Sequence, residues 1–293
     1  MTTRQTLPAR LLGAAAAATA LFAAVPAQAA VIINFPTFAA CNAGGLTCVG
    51  DTTVNAGALR LTPAANSQAG AGYSTTAVAL GTGATFSSTF QFRITGRGGI
   101  APADGLTFVI SQGTSGLGGA GGGLGYQGVG NSMAIEFDTF DNGGLDLSSN
   151  HVAVDTNGVL NNSATANPYG VTNCGSITGY VSGCMSNGDT WTATIDYDGT
   201  TNLLDVYVKD GSSAVQHIIN GYGINISSLV GGSTAFAGFT SATGAGHANH
   251  DILNWQLAND RSLGNPNVPE PGSLALAGVA LLGAAWVRRR RAL

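Results

Sequence analysis

Acidic and imidazole side chains are concentrated in residues 134–155, which read AIEFDTFDNGGLDLSSNHVAVD. Glu136 and Asp138 alternate with apolar residues, so a strand would present both carboxylates on one face. His151 begins a second alternation and would join that face if the two segments pair antiparallel. Two carboxylates and an imidazole suit a transition metal, whereas carboxylates with amide and carbonyl oxygens suit calcium. The stretch therefore predicts a divalent-metal site.

The loop between the two segments, residues 141–150, adds Asn142 and Asp146 as oxygen donors. A polar solvent face of an ordinary strand would explain Glu136 and Asp138 by themselves. It would not explain the ordered series that continues to His151. The chain has only two glutamates. Because glutamate is so rare here, Glu136 on the ligand-facing side of a strand is poorly explained as an ordinary solvent-exposed residue.

The elements that must position these residues are short strands. Glycine contributes 44 residues and charged residues only 9%, a balance that favours strands joined by turns over helical bundles. Predicted strands and hairpins span residues 31–38, 51–62, 84–94, 106–111, 134–140, 151–155, 191–197, 203–209, 235–240 and 251–257. We therefore expect one continuous all-β domain over residues 30–260.

The first 29 residues are typical of a secretory signal peptide. Two arginines precede an apolar run that ends in Ala27-Gln28-Ala29, the small-x-small pattern of a cleavage site after Ala29. A transmembrane anchor is the alternative. The early Pro26 disfavours it, because an anchor needs about 20 apolar residues.

The C-terminal segment, residues 268–293, follows a linker at 261–267. It contains Pro269-Glu270-Pro271, then an apolar run, then four arginines from Arg288, an order that indicates a short membrane segment with a cytoplasmic basic end. This order resembles the PEP-CTERM sorting signal of Gram-negative bacteria. The resemblance implies transient inner-membrane anchoring, processing by exosortase, and release to the cell surface or extracellular matrix.

Removal of both ends would leave a strongly acidic domain. The basic residues fall from 11 to 5 and the acidic residues from 15 to 14, which brings the net charge near −9. Such a surface argues against nucleic acid or anionic membrane as a partner. Bound cations would neutralise part of this negative charge.

Four cysteines in an exported chain favour two disulfides, for which three pairings exist. We expect Cys41–Cys48 and Cys174–Cys184, because each pair is close in sequence and brackets a glycine-containing turn. The spacing does not suit a zinc knuckle. A reactive free thiol is the minor alternative.

The metal stretch resembles that of the L-type (legume) lectin family, whose motif reads much like EFDTFxN…D…HxxxD. Five further fragments resemble the family in the same order, so that the likeness covers residues 34–257: GDTTVNAGALRLT, PADGLTFVI, GGGLGY, IDYDGTTNLLDVYV and AGFTSATG…HDILNW. The resemblance implies a concanavalin A-like antiparallel β-sandwich, or jelly roll.

The resemblance also implies two metal ions that shape a binding loop. The transition metal, usually Mn²⁺, would be held by Glu136, Asp138, Asp146 and His151. The Ca²⁺ ion would be held by Asp138, Asn142, Asp146 and the Phe140 carbonyl. One residue more than in many family members separates Asn142 from Asp146, so Asn142 could be displaced.

The implied sugar site lies beside these ions. Asp104, after a cis peptide bond, would accept hydrogen bonds from sugar hydroxyls, and Asn142 would donate one. Phe140 would offer an apolar face to the ring. A backbone N–H would come from Gly122 or Gly123.

Two further residues, His247 and Asn249, fall in the loop that usually sets sugar preference in this family. His250 and His217 are interpreted as structural residues, and Asp155 as a residue that holds the metal loop by hydrogen bonding.

The predicted function is an exported, metal-dependent carbohydrate-binding protein that catalyses no reaction. Its partners would be glycans or exopolysaccharide, with signal peptidase and exosortase as processing enzymes, and homo-oligomerisation is left open. One alternative is a β-glucanase-like hydrolase that uses Glu136 and Asp141, although a regular strand puts these carboxyls on opposite faces. A matrix scaffold that has lost sugar binding is the other alternative.

Overall fold

The computed structural model of the protein describes residues 30–144, 146–259 and 263. The predicted signal peptide with Ala29, most of the linker, and the sorting signal with Pro269, Glu270 and Pro271 lie outside the described residues. Within the described part of the chain, no helix has the length and apolar character needed to span a bilayer.

Antiparallel strands account for nearly all regular structure in the described residues. They are β1 (Val31–Phe35), β2 (Leu46–Gly50), β3 (Thr53–Asn55), β4 (Ala58–Thr62), β5 (Ala69–Ala79), β6 (Thr85–Gly99), β7 (Gly105–Ser111), β8 (Ser132–Asp138), β9 (His151–Thr156), β10 (Val159–Ala166), β11 (Trp191–Asp198), β12 (Leu203–Asp210), β13 (Gln216–Gly223), β14 (Thr234–Ala242) and β15 (Gly246–Ala258). One short helix, α1 (Ile226–Val230), precedes β14.

The strands form two sheets. The back sheet has the order β13-β12-β11-β6-β15-β4-β3, and β1 also pairs with β15. The front sheet has the order β10-β9-β8-β7-β14-β5-β2. This arrangement confirms the predicted all-β antiparallel sandwich.

Aromatic side chains from both sheets fill the space between them. The ring of Phe90 on β6 lies 4.8 Å from that of Phe239 on β14 and 5.7 Å from that of Phe137 on β8. Trp255 on β15 meets Phe239 at 4.9 Å. All four side chains are fully buried, as the apolar alternation of their strands requires.

Both predicted disulfide pairings are present. Cys41 is bonded to Cys48 and Cys174 to Cys184, so none of the four cysteines is free.

Because neighbouring strands run antiparallel, one end of the sandwich collects the start of β7, the end of β8, the start of β9, the end of β6 and the start of β15. The predicted metal and sugar residues belong to these strand ends or to the loops that join them, except Gly122 and Gly123. These two glycines are in the long loop between β7 and β8, which reaches the same end through the hydrogen bond from the Gly121 N–H to the Thr243 carbonyl. The fold therefore brings the chemically active stretches of the sequence to one edge.

Candidate functional site

Strands β8 and β9 pair in the register that the alternation predicted. Asp138 is opposite His151, and Glu136 is opposite Ala153. The intervening apolar side chains face the core and are fully buried: Ile135, Phe137, Val152 and Val154. The two carboxylates and the imidazole therefore share the other face of the sheet.

These three side chains form a compact cluster. One ligand atom each from Glu136, Asp138 and His151 lies within 4.8 Å of the others, and all three residues are buried. His151 Nε2 is 2.9 Å from Glu136 Oε1, and Nδ1 is 2.8 Å from the carbonyl of Ser148. With the Nδ1 proton donated to that carbonyl, the Nε2 lone pair points into the cluster, as a metal-binding imidazole requires.

The electrostatics of this acidic cluster are unbalanced. Burial, together with the nearby carboxylates of Glu136 and Asp146, raises the pKa of Asp138 well above its ordinary value, although the Phe140 N–H acts against it. Burial lowers the pKa of His151, but its contacts with Glu136 outweigh that effect and raise it. Among the described residues, no lysine or arginine forms an ion pair with the cluster. A divalent cation would supply the missing positive charge, so the donor set fits a metal.

Asp146 closes the loop above the cluster. Its Oδ2 accepts a hydrogen bond from the Asn142 N–H at 2.6 Å, and its Oδ1 accepts one from Asn162 Nδ2 at 3.3 Å. Asp146 is outside the group of atoms within 4.8 Å. Its charge nevertheless raises the pKa of both Asp138 and Asp104. The extra residue of this loop is accommodated by a turn in which Gly143 has a φ of 82°.

Asp104 lies immediately beside the cluster, because the next residue, Gly105, is the register partner of Asp138. The Ala103–Asp104 peptide bond is cis. The Asp104 carbonyl accepts hydrogen bonds from the N–H and Oγ1 of Thr139 at 2.9 and 3.1 Å.

The side chain of Asp104 is buried, and its Oδ2 has no hydrogen-bond partner among the described residues. Burial is the main reason that its pKa rises to about 7. A buried carboxylate oxygen without a donor suits an incoming hydroxyl group.

Gly122 is the glycine that faces Asn142. A Cβ atom added to Gly122 would lie 2.6 to 2.7 Å from the amide atoms of Asn142, so a side chain there would displace the Asn142 amide. A Cβ on Gly123 would instead approach Gln127, and the Gly123 N–H donates to the Ala120 carbonyl. The exposed Asn142 amide and the Gly122 backbone therefore lie against each other beside the acidic cluster.

His247 and Asn249 are both half-buried and both bound to the turn after β4. His247 Nδ1 is 2.6 Å from Asn66 Oδ1, and Asn249 Oδ1 accepts a hydrogen bond from the Ala64 N–H at 2.8 Å. These contacts fix the loop at the site edge. They also leave each side chain only part of its hydrogen-bonding capacity for a ligand.

Asn150, behind the loop, is a residue whose role was not predicted from the sequence. Its Nδ2 donates to the carbonyls of Val171 and Gly183 at 3.1 and 2.9 Å, and its Oδ1 accepts from the Met185 N–H at 2.9 Å. Asn150 directly precedes His151, so these hydrogen bonds fix the start of β9 against a loop that is distant in sequence.

The hydrogen bonds of Asp155 go to β10 and not, as predicted from the sequence, to the metal loop. Its Oδ1 accepts from the N–H groups of Asn161 and Asn162 at 2.8 and 3.0 Å. An unexpected feature is that it shares the buried face with Glu136: burial and that carboxyl raise the pKa of Asp155 to about 9.

The two carboxyls of the hydrolase alternative occupy different environments. Asp141 is exposed and accepts a hydrogen bond from the Gly143 N–H at 2.8 Å, whereas Glu136 is buried against His151. A retaining glycosidase needs both carboxyls on one reactive centre. This geometry does not favour hydrolysis.

The sandwich and the acidic cluster at its edge define a lectin-type protein. The chain matches the legume lectin domain over residues 31–270 and the PEP-CTERM protein-sorting motif over residues 267–291. It therefore belongs to the legume lectin family, whose members are carbohydrate-binding lectins.

Plant lectins are among its relatives. The lectin alpha chain of Lablab purpureus is 28% identical over 257 residues, which cover 81% of this chain and 85% of that protein. The L-type lectin-domain containing receptor kinase VIII.1 of Arabidopsis thaliana is 31% identical over 194 residues, covering 64% of this chain but only 26% of the kinase.

Solved lectin structures share the fold. Peanut lectin with a 9mer peptide superposes with a TM-score of 0.65 at 23% identity, covering 79% of this chain and 97% of that one. The lectin from Bauhinia forficata in complex with GalNAc gives a TM-score of 0.64 at 20% identity, covering 79% and 98%.

Proposed function

We propose that this chain is an exported lectin whose saccharide site depends on Ca²⁺ and a transition metal, usually Mn²⁺. The observation that carries the proposal is the buried cluster of Glu136, Asp138 and His151, whose ligand atoms lie within 4.8 Å of one another and which no lysine or arginine of the described residues pairs with. The cluster lies directly beside Asp104, whose Oδ2 lacks a donor.

The residues that would hold the metals are those that the family resemblance named. Glu136, Asp138, Asp146 and His151 would take the transition metal, and Asp138, Asn142, Asp146 and the Phe140 carbonyl would take calcium. Bound there, the ions would balance the buried charge and hold the loop in one conformation.

The saccharide would be bound by residues on both sides of the acidic cluster. The Asp104 carboxylate would accept hydrogen bonds from sugar hydroxyls, and the Asn142 amide and the Gly122 N–H would donate them. Phe140 would pack against the C–H side of the ring. Two structural neighbours were solved with N-acetylgalactosamine and with galactose, and these sugars are sensible first probes.

The proposed location follows from the two ends of the chain. Signal peptidase would cleave after Ala29, and the match to the PEP-CTERM motif supports removal of the C-terminal segment by exosortase. The domain at residues 30–260 would then act on glycans or exopolysaccharide at the bacterial surface or in the matrix.

The test is a glycan array probed with the purified protein in Ca²⁺ and Mn²⁺, and again after EDTA treatment. Binding that is lost in EDTA and restored by the two ions is expected. Asp138→Asn should lower binding by more than about 100-fold. It removes a charged ligand that both ions would share, while the shape of the side chain is nearly unchanged. Sugar binding that persists in EDTA would refute the metal dependence.

The matched control is Asp141→Asn, an equally conservative change at an exposed carboxylate of the same loop. It should bind the array like the wild type. A reducing-sugar release assay on the same samples distinguishes a lectin from a hydrolase. Absence of binding to every glycan would support the inert-scaffold alternative instead.

A further inference from the structure

A loop closed by the Cys174–Cys184 disulfide exposes apolar side chains. We call residues 174–184 the disulfide loop. Within it, Ile177 is 44% exposed, Tyr180 66% and Val181 41%. Three exposed apolar side chains within five residues of one loop form a local cluster, and clusters of this kind mark interaction sites more often than isolated exposed residues do.

The loop is attached to the metal-binding stretch at its base. The Cys174 N–H donates to Ser149 Oγ at 2.8 Å, and Asn150 Nδ2 donates to the Gly183 carbonyl at 2.9 Å. Ser149 and Asn150 directly precede His151. The conformation of the candidate metal site and that of the disulfide loop are therefore linked.

At its tip, the loop is fixed to strand β6 by Arg97. One guanidinium nitrogen donates to the carbonyls of Ser176 and Gly179 at 3.2 and 2.5 Å. The Arg97 Cζ also lies 3.9 Å from the centre of the Tyr180 ring. A guanidinium held over one face of an aromatic ring is attractive and fixes the ring plane. Tyr180 is therefore an oriented side chain, although most of its surface is exposed.

Arg97 connects this ring to the end of β6, the strand that pairs with the start of β15 at the candidate site. Gly98, the next residue, pairs in register with His247, and the chain then reaches Asp104. The residue that orients Tyr180 therefore belongs to the same strand end that pairs with the segment carrying His247 and Asn249.

Exposed apolar side chains are concentrated at this end of the sandwich. Of the nine large hydrophobic residues that are exposed in the described part of the chain, six belong to loops at the site end: Ile100, Leu147, Ile177, Tyr180, Val181 and Val215. This asymmetry favours a ligand that extends beyond the pocket at Asp104.

We propose that Tyr180, supported by Arg97, is the platform of a second sugar subsite that binds the neighbouring unit of an oligosaccharide. The inference rests on the proposed lectin function. A fixed aromatic face with a hydroxyl at its tip suits the C–H face and rim hydroxyls of a pyranose ring. The preferred ligand would then be a chain of at least two sugar units.

The experiment compares short and long ligands. The probes are galactose, mannose and glucose, each as a mono-, di- and trisaccharide of one linkage, titrated in Ca²⁺ and Mn²⁺. Tyr180→Ala should weaken di- and trisaccharide binding about tenfold and leave the monosaccharide unchanged. Tyr180→Phe should keep most of the oligosaccharide affinity. The control is Val159→Ala, which alters an exposed apolar residue at the opposite end of the sandwich.

The possible outcomes separate the two proposals. If Tyr180→Ala binds mono- and oligosaccharides with the wild-type ratio of affinities, the second subsite is wrong and the lectin function stands. If the wild type binds none of the probes or array glycans, both proposals fail. If Tyr180→Ala abolishes monosaccharide binding as well while its unfolding midpoint falls, the residue supports the loop structurally and the subsite is refuted.

Discussion

Two fully buried histidines at the same end of the sandwich have opposite surroundings. His151 contacts the Glu136 carboxylate and has Asp146 nearby, and these acids raise its pKa despite burial. His250 has the Thr62 hydroxyl 2.8 Å from Nδ1, and burial lowers its pKa to about 3.

The difference separates a site from a structural residue. A neutral imidazole is enough for the surroundings of His250: Nδ1 bonds to the Thr62 hydroxyl, and the buried Nε2 has no hydrogen-bond partner among the described residues. The surroundings of His151 hold several buried acids whose charge the described residues do not balance. Burial by itself therefore does not identify a functional histidine, whereas the charge of the neighbouring side chains does.

The largest expected effect is on stabilisation by metal. Ca²⁺ and Mn²⁺ at about 1,000 times their dissociation constants should stabilise the wild type by about 4 kcal/mol for each ion, seen as a rise in the unfolding midpoint. His250→Gln should respond similarly, and His151→Gln should lose most of the response. Equal responses from the two variants would remove the distinction between the histidines.

The next effect is acid destabilisation through His250. Its folded-state pKa of about 3 lies below the ordinary 6.5, so the unfolded chain binds a proton first. Stability is therefore complete above pH 6.5 and falls as the pH drops towards 3, by about 2–3 kcal/mol at pH 4.5. Urea unfolding at pH 7.5 and 4.5 should show a smaller loss in His250→Gln. An unchanged pH dependence in that variant would mean that His250 is protonated when folded.

A smaller effect should follow the loss of the Asn150 contacts. Asn150→Ala removes three hydrogen bonds, two of them buried, and should lower the free energy of unfolding by about 2 kcal/mol. It should also weaken metal binding, because the residue holds the start of β9. Asn254→Ala is the control, since its amide bonds only to Gln91 on the sheet surface, at 2.7 Å. Metal affinity is measured by calorimetric titration with Mn²⁺. Wild-type affinity in Asn150→Ala would show that Asn150 stabilises the fold but does not support metal binding.

The smallest effect is expected at Asp141. Asp141→Asn keeps an acceptor for the Gly143 N–H and changes only an exposed charge, so stability should shift by less than about 0.5 kcal/mol. Equilibrium unfolding measures this directly. A shift comparable to that of Asn150→Ala would show that the charge of Asp141 helps to stabilise the metal loop.

The sequence predicted the front-sheet strands that carry the site because their apolar alternation is regular. It missed β2, β5, β10 and β13. Strand β5 is rich in glycine and alanine, which are poor strand formers. Its glycines are required by close packing: a Cβ on Gly70 would lie 2.0 Å from the Leu61 carbonyl oxygen, and one on Gly72 would lie 2.7 Å from Leu59 Cδ2.

Within the site, strand periodicity alone was enough to bring Glu136, Asp138 and His151 together. Local sequence could not show which glycine meets Asn142, since that depends on how two loops pack. The same is true of Asn150, whose partners lie 21 to 35 residues further along the chain. Contacts between distant loops leave no periodic pattern in the sequence.

The most direct test of the account is the metal content of the purified protein, measured by elemental mass spectrometry after dialysis with Ca²⁺ and Mn²⁺. The wild type should retain about one ion of each per chain, and Asp138→Asn should retain neither. A wild-type chain that retains no divalent ion, yet still binds its glycan, would contradict the claim that the acidic cluster is a metal site.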